Sequence, residues 1–186
     1  MAVERFVAID RDGVINEDSD EYIKSESEWN PIAGSIDGIA RLTQAGFRIA
    51  IVTNQSGLAR GLFDLSALNG IHKKLQDCLS RQGGRVEMIF FCPHGPTDHC
   101  NCRKPKPGLL LAIEDRFNLD LTGLPFIGDS FSDIEAARNV GMEPILVRTG
   151  KGEQTLLDHS RRLSGIRVFT NLNEATHDLL NRWRNA

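Results

Sequence analysis

Arg5-Phe6-Val7-Ala8-Ile9-Asp10-Arg11-Asp12-Gly13-Val14 is the stretch on which the reading of the whole chain turns. Its four consecutive apolar residues predict a short strand covered on both faces, the kind found inside a parallel sheet. The run stops at Asp10 and Asp12. In an open α/β sheet the loops beyond the carboxyl ends of the strands form the ligand crevice. Both carboxylates are therefore expected at its floor, two residues apart and on one side of the chain. That arrangement suits a metal and a nucleophile. Asp-x-Asp-Gly is also ordinary turn chemistry, so the other strand ends have to decide between the two.

Downstream, apolar runs alternate with helical stripes. Residues 13 to 34 are polar and irregular and read as a long loop over the crevice. Ser35 is the expected cap of a helix whose inner face holds Ile36, Ile39, Ala40 and Thr43 and which closes at Gly46. Phe47 to Val52 predicts a second strand that delivers Thr53-Asn54-Gln55-Ser56-Gly57 to its end. From Asp64 a stripe of Leu65, Leu68, Ile71, His72, Leu75 and Leu79 predicts a helix ending at Gly83-Gly84, with His72 and Cys78 read as part of its packing. Val86 to Phe91 is a third strand, and Pro107-Gly108 opens a helix that runs to Phe117. Leu124 to Ile127 is a fourth strand, ending in Gly128-Asp129-Ser130-Phe131-Ser132-Asp133, with a helix beyond it. Pro144 to Val147, a polar helix over 153–163, a strand at Val168-Phe169 and a last helix complete the pattern. Strands and helices alternating at this spacing imply a doubly wound, Rossmann-like parallel sheet with helices on both faces.

The chain has 186 residues and is 40% hydrophobic, enough for one domain over 1–186 with its own core. Its 22 basic and 25 acidic residues leave a net charge of −3 with no basic run, which disfavours nucleic acid and anionic membranes as partners. A small soluble ligand and a monomer are expected. The first apolar run is too short for a signal-peptide core and nothing reaches the length of a membrane span, so the expected location is the cytoplasm.

Three strands thus end in groups that converge: Asp10 and Asp12, then Thr53 and Asn54, then Asp129 with Asp133 nearby. A hard cation such as Mg²⁺ prefers oxygen ligands, and Asp10 with Asp129 is the natural carboxylate pair for it. A phosphate needs donors and positive charge, which Thr53, the amides that follow it and Lys104 could supply. The loop from Cys92 to Cys102 offers a second metal set. Cys92, Cys100 and Cys102 with one imidazole, His94 or His99, make a Cys₃His shell with no vacancy, which fits structural Zn²⁺.

These residues resemble the haloacid-dehalogenase superfamily of phosphotransferases. Asp10-Arg11-Asp12-Gly13-Val14 is similar to its first motif, Thr53-Asn54 to the second, Lys104 to the third and Gly128 to Asp133 to the fourth, together covering residues 5 to 147. The resemblance implies that Asp10 is the nucleophile that forms an aspartyl-phosphate and that Asp12 is the general acid and base. It also implies that Thr53 and Lys104 hold the phosphoryl group and that Mg²⁺ sits on Asp10, Asp129 and the carbonyl of Asp12. The gaps between motifs leave no room for the separate cap domain that many relatives carry, so the site should be open.

Cys-x-His followed by Cys-x-Cys-Arg-Lys-Pro resembles the branch that acts on heptose bisphosphates and on histidinol phosphate. That likeness selects His94 for the zinc set and makes Asn54, Gln55, Ser56 and Arg103 substrate contacts, with zinc pinning the loop that carries Arg103 and Lys104. Arg103 suits a second phosphate, whereas histidinol's amine would want carboxylates. The resemblance therefore implies a Mg²⁺-dependent phosphatase that removes the 7-phosphate of a heptose bisphosphate in nucleotide-heptose synthesis. The alternatives are a histidinol-phosphate phosphatase and a non-catalytic sugar-phosphate-binding module. The loop after Asp12 departs from the heptose pattern, since Asp18-Ser19-Asp20-Glu21-Tyr22 is more acidic and one residue longer. Asp18 and Tyr22 are carried over as sugar contacts.

Overall fold

The computed structural model describes residues 4–184. Six parallel strands form one sheet: β1 (Phe6–Ile9), β2 (Arg48–Asn54), β3 (Met88–Cys92), β4 (Pro125–Gly128), β5 (Glu143–Val147) and β6 (Arg167–Phe169). Their order across the sheet is β3-β2-β1-β4-β5-β6. The chain builds outward from β1 to one edge, then returns to build from β4 to the other. The loops after β1 and β4 therefore part in opposite directions and leave a crevice between them.

The period of two along each strand divides the core. Val7 and Ile9 of β1 and Ile49 and Ile51 of β2 face one layer, made by α1 (Ser35–Gln44), α2 (Leu65–Arg81) and α6 (Leu172–Arg184) through Ile39, Leu42, Leu75, Leu79 and Leu179. Phe6, Ala8, Ala50 and Val52 face the other layer, where α3 (Gly108–Phe117) and α4 (Phe131–Asn139) contribute Leu110, Ile113 and Ala137. A smaller cluster of Ile134, Leu146 and Leu163 seats α5 (Gly152–His159) and the 3-10 turn that follows it. All four β1 side chains are buried, as a central strand of a two-sided sheet requires.

Several local expectations are corrected. Ser35 is not the cap of α1: Gly34 holds that position in a left-handed conformation, and the Ser35 hydroxyl donates instead to the carbonyl of Ile15 at 2.6 Å. Asp64 does cap α2, accepting from the amide of Ala67 at 2.8 Å. Leu65, assigned to the inner stripe of α2, is 56% exposed because the stripe starts at Leu68. Both β2 and β3 run past their apolar stretches, pairing Thr53 with Phe91 and Asn54 with Cys92. The polar helix expected over 153–163 is α5 followed by a 3-10 turn at Ser160–Leu163.

Candidate active site

The crevice at the fork between β1 and β4 encloses about 350 Å³. Asp10 and Asp12 from the end of β1, Thr53 to Ser56 from the end of β2, Arg103 and Lys104 from the loop before α3, and Asp129 from the end of β4 all line it. Asp18 and Tyr22 close it from the loop between β1 and α1. Every residue named from sequence as a catalytic, substrate or magnesium contact is brought to this one place.

Lys104 is its electrostatic centre. Only 4% exposed, its ammonium reaches Asp10 at 2.8 Å and Asp133 at 2.7 Å and donates to the carbonyl of Val52 at 2.7 Å. Burial alone would favour the neutral amine, but Asp10 and Asp133 outweigh it and hold the group more firmly charged than an ordinary lysine. Asp133 is fixed in turn as the closing carboxylate of the α4 capping box, accepting from the Ser130 amide and hydroxyl. It braces Lys104 from behind.

Burial raises the Asp10 carboxyl to about 7 against the pull of Lys104, and Asp133 and Asp12 nearby push the same way. Asp129 is likewise well above the ordinary carboxylate range, through burial and then through Asp133 and Asp10. Ligand oxygens of Asp10, Asp129 and Asp133 lie within 4.8 Å of one another. Lys104 and Ser130 occupy Asp133, whereas one oxygen of Asp10 and one of Asp129 have no hydrogen-bond partner among the described residues. Two oxygens so placed in a buried acidic cluster fit a small hard dication.

Asp12 is held differently. The Arg11 guanidinium grips its carboxylate through Nε at 3.1 Å and Nη2 at 2.9 Å, Asn16 donates at 2.9 Å and Gln55 at 2.7 Å. Burial would raise this carboxyl, but Arg11 and these hydrogen bonds win and hold it below its usual value. Gln55 also donates to the Thr53 hydroxyl at 2.9 Å, tying the second motif to the first. Asn54 uses both ends of its amide on the backbone of Lys104, each at 3.1 Å. It fixes the third motif against β2.

Cys92, His94, Cys100 and Cys102 gather at the end of β3, their ligand atoms within 4.8 Å of one another. Cys92 Sγ stands 3.1 Å from Cys102 Sγ and 3.7 Å from Cys100 Sγ, both too far for a disulfide and the second close to the edge of about 3.8 Å that Zn–S bonds of about 2.3 Å imply. His94 Nδ1 lies 3.2 Å from Cys102 Sγ. Burial and the neighbouring thiols push the Cys92 thiol up to about 12, so Cys92 needs a cation beside it to exist as a thiolate. The donor set fits Zn²⁺. His94 completes it, while His99 is exposed in a left-handed turn outside it. Arg103 donates to the carbonyl of His94 at 3.3 Å, so the loop carries the crevice's outer cation.

Sequence reasoning missed Lys151 and the hold of Arg11 on Asp12, while His72 is packed on the inner face of α2 as expected. Lys151 lines the crevice, donates its amide to Asp129 at 2.7 Å and pairs with Asp18 at 2.9 Å. A signal existed: Gly150-Lys151-Gly152 follows β5, at the same end of the sheet as the other motifs. Gly13 and Gly150 are both left-handed and lie back to back, and a Cβ on either would fall within 2.2 Å of Asp129 Oδ2. Only glycine at both positions lets this carboxylate in.

Comparison with known proteins agrees with this geometry. A sequence family described as HAD-hydrolase-like matches residues 101–175. The D-glycero-β-D-manno-heptose-1,7-bisphosphate 7-phosphatase of Pseudomonas aeruginosa is 56% identical over 148 residues, 80% of this chain and 83% of that protein. The enzyme of the same name from Bordetella bronchiseptica is 48% identical over 176 residues, 95% of this chain and 98% of its own length. A crystal structure of D,D-heptose 1,7-bisphosphate phosphatase from B. bronchiseptica, complexed with magnesium and phosphate, superposes with a TM-score of 0.93 at 48% identity, covering 96% of this chain and 99% of that one. A crystal structure of the Burkholderia thailandensis enzyme gives 0.73 at 36% identity, over 95% of this chain and 99% of that one. With its strand-end carboxylates, buried lysine and Cys₃His loop, the chain belongs to the haloacid-dehalogenase-like phosphatases, in the family of the heptose-1,7-bisphosphate 7-phosphatases.

Proposed function

We propose that the chain is a Mg²⁺-dependent phosphatase that removes the 7-phosphate of D-glycero-β-D-manno-heptose 1,7-bisphosphate through an aspartyl-phosphate, in the synthesis of nucleotide-activated heptose. The observation that carries this is the placement of Asp10 at the sheet's fork, paired with buried Lys104 and facing Asp129. Asp10 attacks phosphorus in line: an oxygen–phosphorus bond forms as the bond to the sugar oxygen breaks. Asp12 protonates that departing alkoxide, which is too basic to leave bare. It takes up the proton as the phosphate dianion arrives, because like charge beside a carboxylate raises its proton affinity. Asp12 then withdraws a proton from the water that attacks the aspartyl-phosphate, freeing phosphate and restoring Asp10. Thr53 and Lys104 hold the equatorial oxygens, and Asp133 keeps Lys104 aimed. Magnesium, which Asp10, Asp129 and the carbonyl of Asp12 would hold, supplies charge that keeps both carboxylates ionised and offsets repulsion between anions.

Arg103 takes the second phosphate, while Asp18, Tyr22, Asn54, Gln55 and Ser56 shape the sugar pocket. The chain acts as one capless domain over residues 1–186, because the connections from β1 to β2 and from β2 to β3 hold a single helix each. It acts as a monomer, since one chain supplies the whole crevice. Cytoplasmic residence suits its thiol set, and among the described residues no helix is long and apolar enough to cross a membrane. Phosphate release from the β-heptose bisphosphate and from histidinol phosphate tests the proposal. Strong preference for the first is expected, and preference for histidinol phosphate would overturn it.

A further inference from the structure

Arg11 lies between the two carboxylates in sequence and is fully buried, yet the phosphate chemistry makes no direct use of it. Its Nε and Nη2 hold Asp12, and its remaining terminal nitrogen, Nη1, lies 3.2 Å from Nε2 of His72 on α2. A guanidinium can only donate, so Nε2 of His72 is the acceptor and carries no proton. His72 is 9% exposed, sits on the helix face that otherwise presents Leu68, Ile71 and Leu75 to the core, and has its ring tilted against Phe91 at 6.2 Å. A hydrocarbon would fill that place as well. An imidazole there does one thing that leucine cannot, which is to give Nη1 of a buried arginine a fixed partner.

We propose that His72 is a positioning residue for Asp12, acting through the guanidinium of Arg11. Nη1 bound to His72 fixes the roll of the guanidinium plane, and that plane sets the carboxylate of Asp12 over the leaving and attacking oxygens. Asn16 and Gln55 contact the same carboxylate from other directions, Asn16 at Oδ1 and Gln55 at Oδ2, whereas Arg11 alone spans both of its oxygens. Helix α2, distant in sequence from every motif, thereby takes part in proton transfer. This rests on the reading of Asp10 as nucleophile and Asp12 as acid and base.

The test uses the full chain with magnesium, the heptose bisphosphate and p-nitrophenyl phosphate. Nitrophenolate leaves without a proton, so a misplaced Asp12 spares formation of the aspartyl-phosphate and slows only its hydrolysis. His72→Leu should lower kcat on the sugar substrate about ten- to a hundredfold with KM little changed. With the aryl ester in stopped flow it should release a burst of about one nitrophenolate per chain before a slow steady state. His72→Gln, whose carbonyl can accept from Arg11, should recover most of the lost kcat. Should His72→Leu not fold, His72→Asn carries the same expectation, because its shorter amide does not reach Arg11. An unchanged kcat, or burst and turnover falling together in proportion to folded protein, would overturn the role of His72. Asp12→Asn separates the two levels: a burst followed by a stall upholds the acid–base reading whatever His72 does, and retained turnover overturns both.

Discussion

The ammonium of Lys104 touches Asp10, Asp133 and the carbonyl of Val52 at once, so it holds the site together as well as charging it. Removing it leaves two buried carboxylates without their cation, a loss that typically costs about 3–5 kcal/mol. Lys104→Met should therefore destabilise the chain by roughly that amount in denaturant titration and lower turnover about a hundred- to a thousandfold, as expected for a lost charge donor. A stable, active Lys104→Met protein would contradict the assignment. At this scale the sequence was legible where chemistry follows strand ends: Asp10, Asp12, Thr53, Lys104 and Asp129 stand where the alternation of strands put them. Arg11, His72 and Lys151 were not legible, because their roles depend on which faces meet in space. The stripe on α2 identifies His72 as inward-facing, but nothing in the sequence says that a buried guanidinium waits there.

The loop from Cys92 to Lys104 is the element that carries Arg103 and Lys104 to the crevice. It leaves β3 through Cys92, turns through the Cys₃His set and is fastened to β2 by the paired Asn54 and Lys104 hydrogen bonds. Protein prepared without added zinc should contain about one zinc per chain, the number that one closed tetrahedral shell takes. Cys102→Ser should weaken that binding and raise KM for the bisphosphate through Arg103, while far-UV circular dichroism stays unchanged because the sheet does not pass through the loop. A zinc-free chain with unaltered KM would refute the pinning role. Spacing revealed this element almost completely, the family resemblance chose His94 over His99, and the coordinates place His94 in the set. Helix starts were read less well: Ser35 looked like a cap, yet its hydroxyl is drawn to Ile15 by the fold of the preceding loop, a contact between segments 20 residues apart.

At the scale of the whole molecule, the strand order places two acidic strand ends side by side, and the core encloses them. Asp10, near 7 in the fold, and Asp129, also raised, keep protons that the unfolded chain loses near 3.8. Their contribution to stability is present at low pH and disappears as pH rises through about 7 in the metal-free chain. Magnesium competes with those protons, so the rise in Tm that it produces should grow from about pH 5 to about pH 8. A shift independent of pH would contradict the assignment of these carboxylates. His72, held near 4 by burial and by Arg11, works in the opposite sense, its contribution being lost as pH falls from about 6.5 toward 4. Measuring with and without magnesium at each pH cancels that background. The doubly wound order could be anticipated because each buried strand is followed by an amphipathic helix. The close approach of Gly13 and Gly150 could not, since it is settled only when β1 and β5 are placed on either side of β4. The whole mechanism turns on esterification of Asp10 to phosphorus. Its most direct test is acid quenching of Asp12→Asn during reaction with p-nitrophenyl phosphate, whose leaving group needs no proton, followed by peptide mass spectrometry. Phosphate on the peptide carrying Asp10, absent when Asp10→Asn is added, is the predicted result, and a phosphoryl group on any other residue, or on none while turnover continues, would contradict it.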